Sequence, residues 1–150
     1  MKGIIHAGIT VKSLEKSLVF YRDLLGLKLI KQEPVRKARG EKLGVPGAII
    51  QVAVLQTEDP TTTVELIEYL EPQLLSVTPA PINLPGSMHL AFHVEDIDKQ
   101  VKKMKQAGVK FVSEDYEVIK DGPLQGMKWI YFKDPDGTNL ELIEYDPAGE

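Results

Sequence analysis

The sequence predicts an α+β fold built from two βαβββ modules, and three observations carry that expectation. The pentapeptide Glu-Leu-Ile-Glu-Tyr occurs twice, at residues 65–69 and 141–145. The segment HAGITVKSLEKS at 6–17 aligns with HLAFHVEDIDKQ at 89–100, matching His6 with His89, Val11 with Val94, Leu14 with Ile97 and Lys16 with Lys99. The spacing from each histidine to the first glutamate of the repeated word is 59 positions (6 to 65) and 52 positions (89 to 141). Two modules of similar layout, differing by about one loop, fill the chain.

Each module justifies its elements in the same order. GIIHAGITV alternates as a strand does, and Leu14, Leu18, Tyr21 and Leu25 then recur at helical spacing until Gly26 supplies a stop. In the second copy MHLAFHV is the strand, Ile97, Val101, Met104 and Ala107 form the helical stripe, and Gly108 ends it. Three strands follow each helix: LKLIKQE, AIIQVAVLQT and TTVELIEYL, then VKFVSE, MKWIYFK and TNLELIEY. TEDPTT and KDPDGT are turn chemistry before the last strand of each module. The expected organisation is one domain, with modules at 1–75 and 87–146 and an extended linker at 76–86 that carries three prolines in SVTPAPINLPG.

Bulk composition narrows the function classes. A length of 150 residues fits a single domain with a sizeable core, and 43% hydrophobic with 27% charged residues argues against disorder. Lys and Arg number 18 against 22 Asp and Glu, which leaves no basic footprint for nucleic acid. The absence of cysteine excludes disulfides, thiolate metal sites and thiol nucleophiles. No stretch matches a signal-peptide core or a membrane span, so the expected location is cytoplasmic, away from membranes.

The repeated word places a carboxylate inside an apolar strand twice. Glu65 shares a strand face with Ile67 and Tyr69, and Glu141 with Ile143 and Tyr145. A buried carboxylate costs several kcal/mol unless a partner or a metal compensates it. With His6 and His89 on the opening strands, the order His-Glu-His-Glu makes a metal constellation, provided that pairing of the modules brings the four together. Two imidazoles and two carboxylates suit one divalent ion, and Zn, Ni, Co, Mn and Fe all remain open. Glu68 and Glu144, on the other strand face, are expected to be solvated.

These residues resemble the vicinal oxygen chelate superfamily, which includes glyoxalase I and methylmalonyl-CoA epimerase. The resemblance covers essentially the whole chain and rests on HAGITVKSLEKSLVFYRDLLGLKL, VELIEYL, MHLAFHVEDID and, most specifically, YFKDPDGTNLELIEY. It implies paired βαβββ modules whose curved mixed sheets each form a half-barrel around a divalent metal. The family's ligand positions fall on His6, Glu65, His89 and Glu141. The implied activity is a glyoxalase I-like isomerase or lyase that moves a proton beside a carbonyl through a metal-stabilised enediolate, with Glu141 or Glu65 as the base. An acyl-CoA epimerase of the methylmalonyl type is the alternative, although such epimerases typically place Gln where this chain has Glu65. Ring-cleaving dioxygenases use three ligands and drug-sequestering members generally lack the set, so both stand further off.

Further candidates are substrate contacts. His93 lies on the same strand face as His89, in the position of Thr10, and packing is its ordinary alternative. Arg36 and Arg39, in the loop at 34–47, could grip a glutathione carboxylate or a coenzyme A phosphate, or simply be solvated. Trp129 and Tyr131 alternate onto one strand face and either line the cavity or pack in the core. The breaker-rich segment at 119–128 has the composition of a flap, and of any surface loop. The expected partners are a small carbonyl substrate, such as a glutathione or CoA adduct, and a second copy in a homodimer.

Overall fold

The computed structural model of the chain describes residues 1–38, 40–73 and 80–145. The chain divides into two compact units, Met1–Thr78 and Pro79–Glu150. Each carries one four-stranded mixed sheet with few helices, in the βαβββ order expected from the sequence except for one short extra helix, Gly40–Leu43, within the inserted loop of the first unit.

In the first unit β1 (His6–Val11) leads into α1 (Leu14–Leu18), β2 (Lys28–Lys37), α2 (Gly40–Leu43), β3 (Ile49–Gln56) and β4 (Thr63–Glu71). The sheet order is β1-β4-β3-β2, with β1 parallel to β4 and the other pairs antiparallel. The second unit repeats this with β5 (His89–His93), α3 (Ile97–Gln106), β6 (Glu117–Val118), β7 (Lys128–Lys133) and β8 (Asn139–Glu144), in the order β5-β8-β7-β6. Again the opening strand runs parallel to the last one.

One face of each sheet is core. Ile9, Val11, Ala53, Leu55, Val64 and Leu66 are buried with Leu14, Leu18 and Tyr21 of the helical segment. Their counterparts are Ile130, Phe132, Leu140 and Leu142 with Ile97, Val101 and Met104. Alternation along the strands sends Glu65 and Glu141 to the opposite face. Ser13 and Asp96 start the helices, their side chains accepting from the backbone N–H of Lys16 and Lys99. Asp59 and Asp134 organise the expected turns by accepting from Thr61 N–H at 2.9 Å and Thr138 N–H at 2.7 Å.

Four local readings differ from the sequence expectation. The first helix passes from α1 into a π-helical turn, Val19–Leu24, where the Leu25 N–H bonds to the Phe20 carbonyl. The wider turn brings consecutive side chains closer in direction, and it buries both Phe20 and Tyr21, whose rings meet edge to face at 5.1 Å. VKFVSE is not a strand. It touches the sheet through a single bridge, Phe111 to Phe132, after which Ser113 and Lys105 side chains occupy the carbonyls of Asp115 and Glu114, and the edge strand is β6. Residues 80–86, the part of the proline-rich linker that is described, form successive turns closed by Leu84 N–H to Pro81 and Ser87 N–H to Leu84.

The fourth difference concerns the second glutamate of each repeated word. Glu68 is buried and accepts from the Leu14 N–H at 2.7 Å and from Gln51 Nε2 at 2.6 Å. Glu144 accepts from the Ile97 N–H and from Lys128 Nζ, each at 2.7 Å. Both carboxylates thus cap the first turn of their unit's helix from a neighbouring strand, where orphan N–H groups and the helix dipole favour negative charge.

Candidate metal centre

The parallel pairing of opening and closing strands builds the candidate site. In the first unit His6 faces Thr63 and Gly8 faces Glu65 across the ladder. Gly8 presents no side chain between them, and His6 Nε2 comes to 3.5 Å from Glu65 Oε2. In the second unit Ala91 faces Glu141, and His89 Nε2 lies 3.3 Å from Glu141 Oε2. Two donors bound to one ion at about 2.1 Å stand roughly 3.0–3.4 Å apart at octahedral or tetrahedral angles; the His89–Glu141 pair falls inside that range and the His6–Glu65 pair about 0.1 Å beyond it. The donor chemistry, imidazole nitrogen with carboxylate oxygen, fits a divalent first-row ion. The structure brings the four expected ligands together as these two pairs. Among the described residues no group of three or more His, Cys, Asp or Glu side chains forms a ready-made metal cluster.

The two pairs sit in different surroundings. Glu65 is 27% exposed and Glu141 only 10%, while His6 and His89 are 47% and 42% exposed. Burial pushes the Glu141 carboxyl above the usual carboxylate range, against the opposing pull of His89 and Tyr131. Burial, with the Glu141 charge behind it, also raises the Tyr131 phenol. Tyr131 faces Glu141 in the β7–β8 register, and its hydroxyl lies 3.3 Å from His89 Nε2. Sequence reasoning puts Tyr131 with Trp129 on one strand face, lining the cavity or packed in the core; strand register decides that it meets Glu141.

On the same face of the first unit the inserted loop folds down. Ala38 and Ala48 join Ile50 and Val52 in a small apolar cluster, with Val45, Val54, Ile67 and Tyr69 packed against it. A hydrogen bond from Ala38 N–H to the Ala48 carbonyl closes the loop's base, and Val45 N–H donates to Gly40 across it.

The remaining candidates fall as follows. Arg36 is exposed on the edge strand, where its Nε donates to Glu33 at 2.9 Å while Lys31 holds the other Glu33 oxygen at 2.6 Å. Arg39 lies outside the described residues. His93 Nε2–H donates to the Tyr145 carbonyl at 2.9 Å, tying the end of β5 to the end of β8. Trp129 is half-buried and meets the Tyr131 ring edge to face at 5.6 Å. The segment at 119–127 is a closed hairpin loop, with backbone bonds in both directions between Ile119 and the 126–127 pair. No helix among the described residues is long and apolar enough to cross a membrane.

Known proteins agree with this architecture. The family model described as Glyoxalase/Bleomycin resistance protein/Dioxygenase superfamily matches residues 3–142. A 2-epi-5-epi-valiolone epimerase from an Actinomyces species is 35% identical over 96% of this chain and 79% of its own length. The lactoylglutathione lyase of Neisseria meningitidis serogroup A is 27% identical over 94% of this chain and 89% of its own. Among solved structures, a glyoxalase family protein from Bacillus cereus shares the fold with a TM-score of 0.81, at 24% identity over 97% of this chain and 95% of that one.

Proposed function

The chain belongs to the glyoxalase/bleomycin resistance protein/dioxygenase superfamily, and from that membership and its two His–Glu pairs we propose a metal-dependent enzyme that moves a proton next to a carbonyl. The observation that carries this reading is the matched approach of His Nε2 to Glu Oε2 in both units. In the proposal the units work as one domain, and His6, Glu65, His89 and Glu141 hold one divalent ion, either within a chain or between the chains of a cytoplasmic homodimer. When bound, the ion supplies positive charge beside the substrate's carbonyl oxygen, where negative charge develops as the proton leaves.

The chain's own residues perform the rest. His6 and His89 are neutral when they ligate through Nε2, and each is oriented by its strand rather than by a loop. Glu65 or Glu141 takes the proton from the carbon beside the carbonyl and returns it, since a ligand carboxylate that loosens from the ion is a base beside the bound substrate. The low exposure of Glu141 suits a proton carrier, because burial displaces its carboxyl upward from the usual carboxylate range and so makes the carboxylate a stronger base.

Glyoxalase I-like isomerisation of a glutathione hemithioacetal is the first reading for the substrate. The 35% identity with the 2-epi-5-epi-valiolone epimerase favours a second, in which the same proton transfer inverts a carbon of a small hydroxylated ketone. The test is metal analysis of the purified protein followed by assay of the metal-loaded enzyme on the methylglyoxal–glutathione adduct, 2-epi-5-epi-valiolone and methylmalonyl-CoA. Turnover of any of them supports proton transfer and names the branch. A protein that binds no metal, or one that binds metal and turns over none of the three, contradicts the assignment.

A further inference from the structure

The second half of the candidate centre contains a group that the first half lacks. Tyr131 OH and Glu141 Oε2 each lie 3.3 Å from the same atom, His89 Nε2. The Tyr131 ring stands edge-on to the imidazole, with centroids 5.2 Å apart at 75°, and Trp129, two residues earlier on the same strand, meets it edge to face at 5.6 Å. In the first unit the position facing Glu65, which Tyr131 occupies opposite Glu141, belongs to Val54. A hydroxyl has no counterpart there.

An imidazole nitrogen has one bonding direction in the plane of its ring. It carries a hydrogen and donates, or offers its lone pair to a hydroxyl, or gives that lone pair to a metal. Whichever of the first two joins Nε2 to Tyr131, it ends when a metal takes the nitrogen.

Resting on the metal-dependent reading above, we propose that Tyr131 is a metal-responsive residue of the site. Its hydroxyl stands at His89 Nε2, the atom that a metal would take, and also bonds Glu141; where a metal takes Nε2, the hydroxyl keeps to Glu141 or to an oxygen of the substrate. The sign of two effects separates this role from mere packing. Removal of the hydroxyl removes a competitor for the metal, so affinity rises; it also removes a hydrogen bond from the loaded site, so turnover falls. A tyrosine that only supported the fold would lower both when changed.

The experiment titrates the metal-free full chain with Co2+, for the wild type and for Tyr131→Phe, which keeps the ring against Trp129 and His89. Trp129 is the chain's one tryptophan, so its fluorescence reports the titration, and bound cobalt is counted independently. The expected result is Co2+ affinity about two- to tenfold tighter in Tyr131→Phe, the range for loss of one competing hydrogen bond, with lower turnover of the substrate that the wild type accepts. Circular dichroism checks the fold, and Tyr131→Leu, which also lacks the hydroxyl, repeats the test should the first variant misfold. Equal or weaker affinity in a folded variant, with the wild type binding cobalt, overturns this inference and leaves the proposed function standing. Unchanged turnover overturns the hydroxyl's part in the loaded site. Failure of the wild type to bind cobalt overturns both readings.

Discussion

Glu141 and Glu144 stand three residues apart on β8, and their environments give them opposite tasks. Glu141 faces His89 with its charge disfavoured by burial, whereas Glu144 has its charge secured by the Ile97 N–H and Lys128. In the first unit Glu65 approaches His6, while Glu68, on the other strand face, is bound by the Leu14 N–H and Gln51. The first glutamate of each word was legible from the sequence, because a carboxylate on an apolar strand face needs a partner and a matched histidine stood ready. The second was not, because strand parity says only that it leaves the ligand face; that the helix N-terminus sits over it is a tertiary fact. Replacement of Glu141 by Gln preserves shape but removes a basic oxygen, and turnover of the accepted substrate is expected to fall by about 10²–10⁴-fold. Steady-state kinetics with metal content measured on the same sample check it. If Glu141→Gln and Glu65→Gln combined remained fully active, neither carboxylate would be the proton carrier.

At the level of the element, each helix is held at its first turn by a carboxylate from β4 or β8. Glu68→Ala leaves the Leu14 N–H and Gln51 without their buried acceptor, and is expected to cost about 1–3 kcal/mol in chemical denaturation. Glu144 predicts a pH signature. The Ile97 N–H first, and Lys128 second, hold its carboxyl below the usual carboxylate range. A depressed folded value means that its stabilisation is present above the ordinary Glu value of about 4.3 and is lost as pH falls through the folded value. Melting curves of the wild type and Glu144→Gln should therefore differ at pH 7 and converge in acid; a constant gap down to pH 2 would contradict the assignment. The inserted loop offers a third check. A Cβ on Gly40 would lie 1.9 Å from the Val45 carbonyl oxygen, so Gly40→Ala must displace backbone and is expected to destabilise the first unit by about 1–3 kcal/mol. Helix ends were legible where the apolar stripe and a glycine stop agreed, as at Gly26 and Gly108. The strand expectation failed at VKFVSE, where side-chain bonds to nearby carbonyls compete with the ladder.

On the scale of the whole molecule, the internal repeat was the most legible feature, since two copies of one pattern constrain each other. The same duplication leaves its two halves unequal in detail. Ala38, Val45 and Ala48 of the inserted loop and its base pack on the Glu65 face of the first unit, and Trp129 and Tyr131 line the Glu141 face of the second. One imidazole and one carboxylate are half of the four donors proposed for the ion, so the proposed function requires both pairs to serve it. A bound ion then stabilises the fold by mass action, by about 2.7 kcal/mol at a hundred times its dissociation constant, and thermal melts with and without a chelator should show it. The most direct measurement is the stoichiometry of tight divalent-metal binding, by equilibrium dialysis against Co2+, for the wild type, His6→Ala and His89→Ala. The account predicts one ion per chain in the wild type, with tight binding lost in either variant. Two ions per chain, one lost with each histidine, or no tight binding at all, would contradict it.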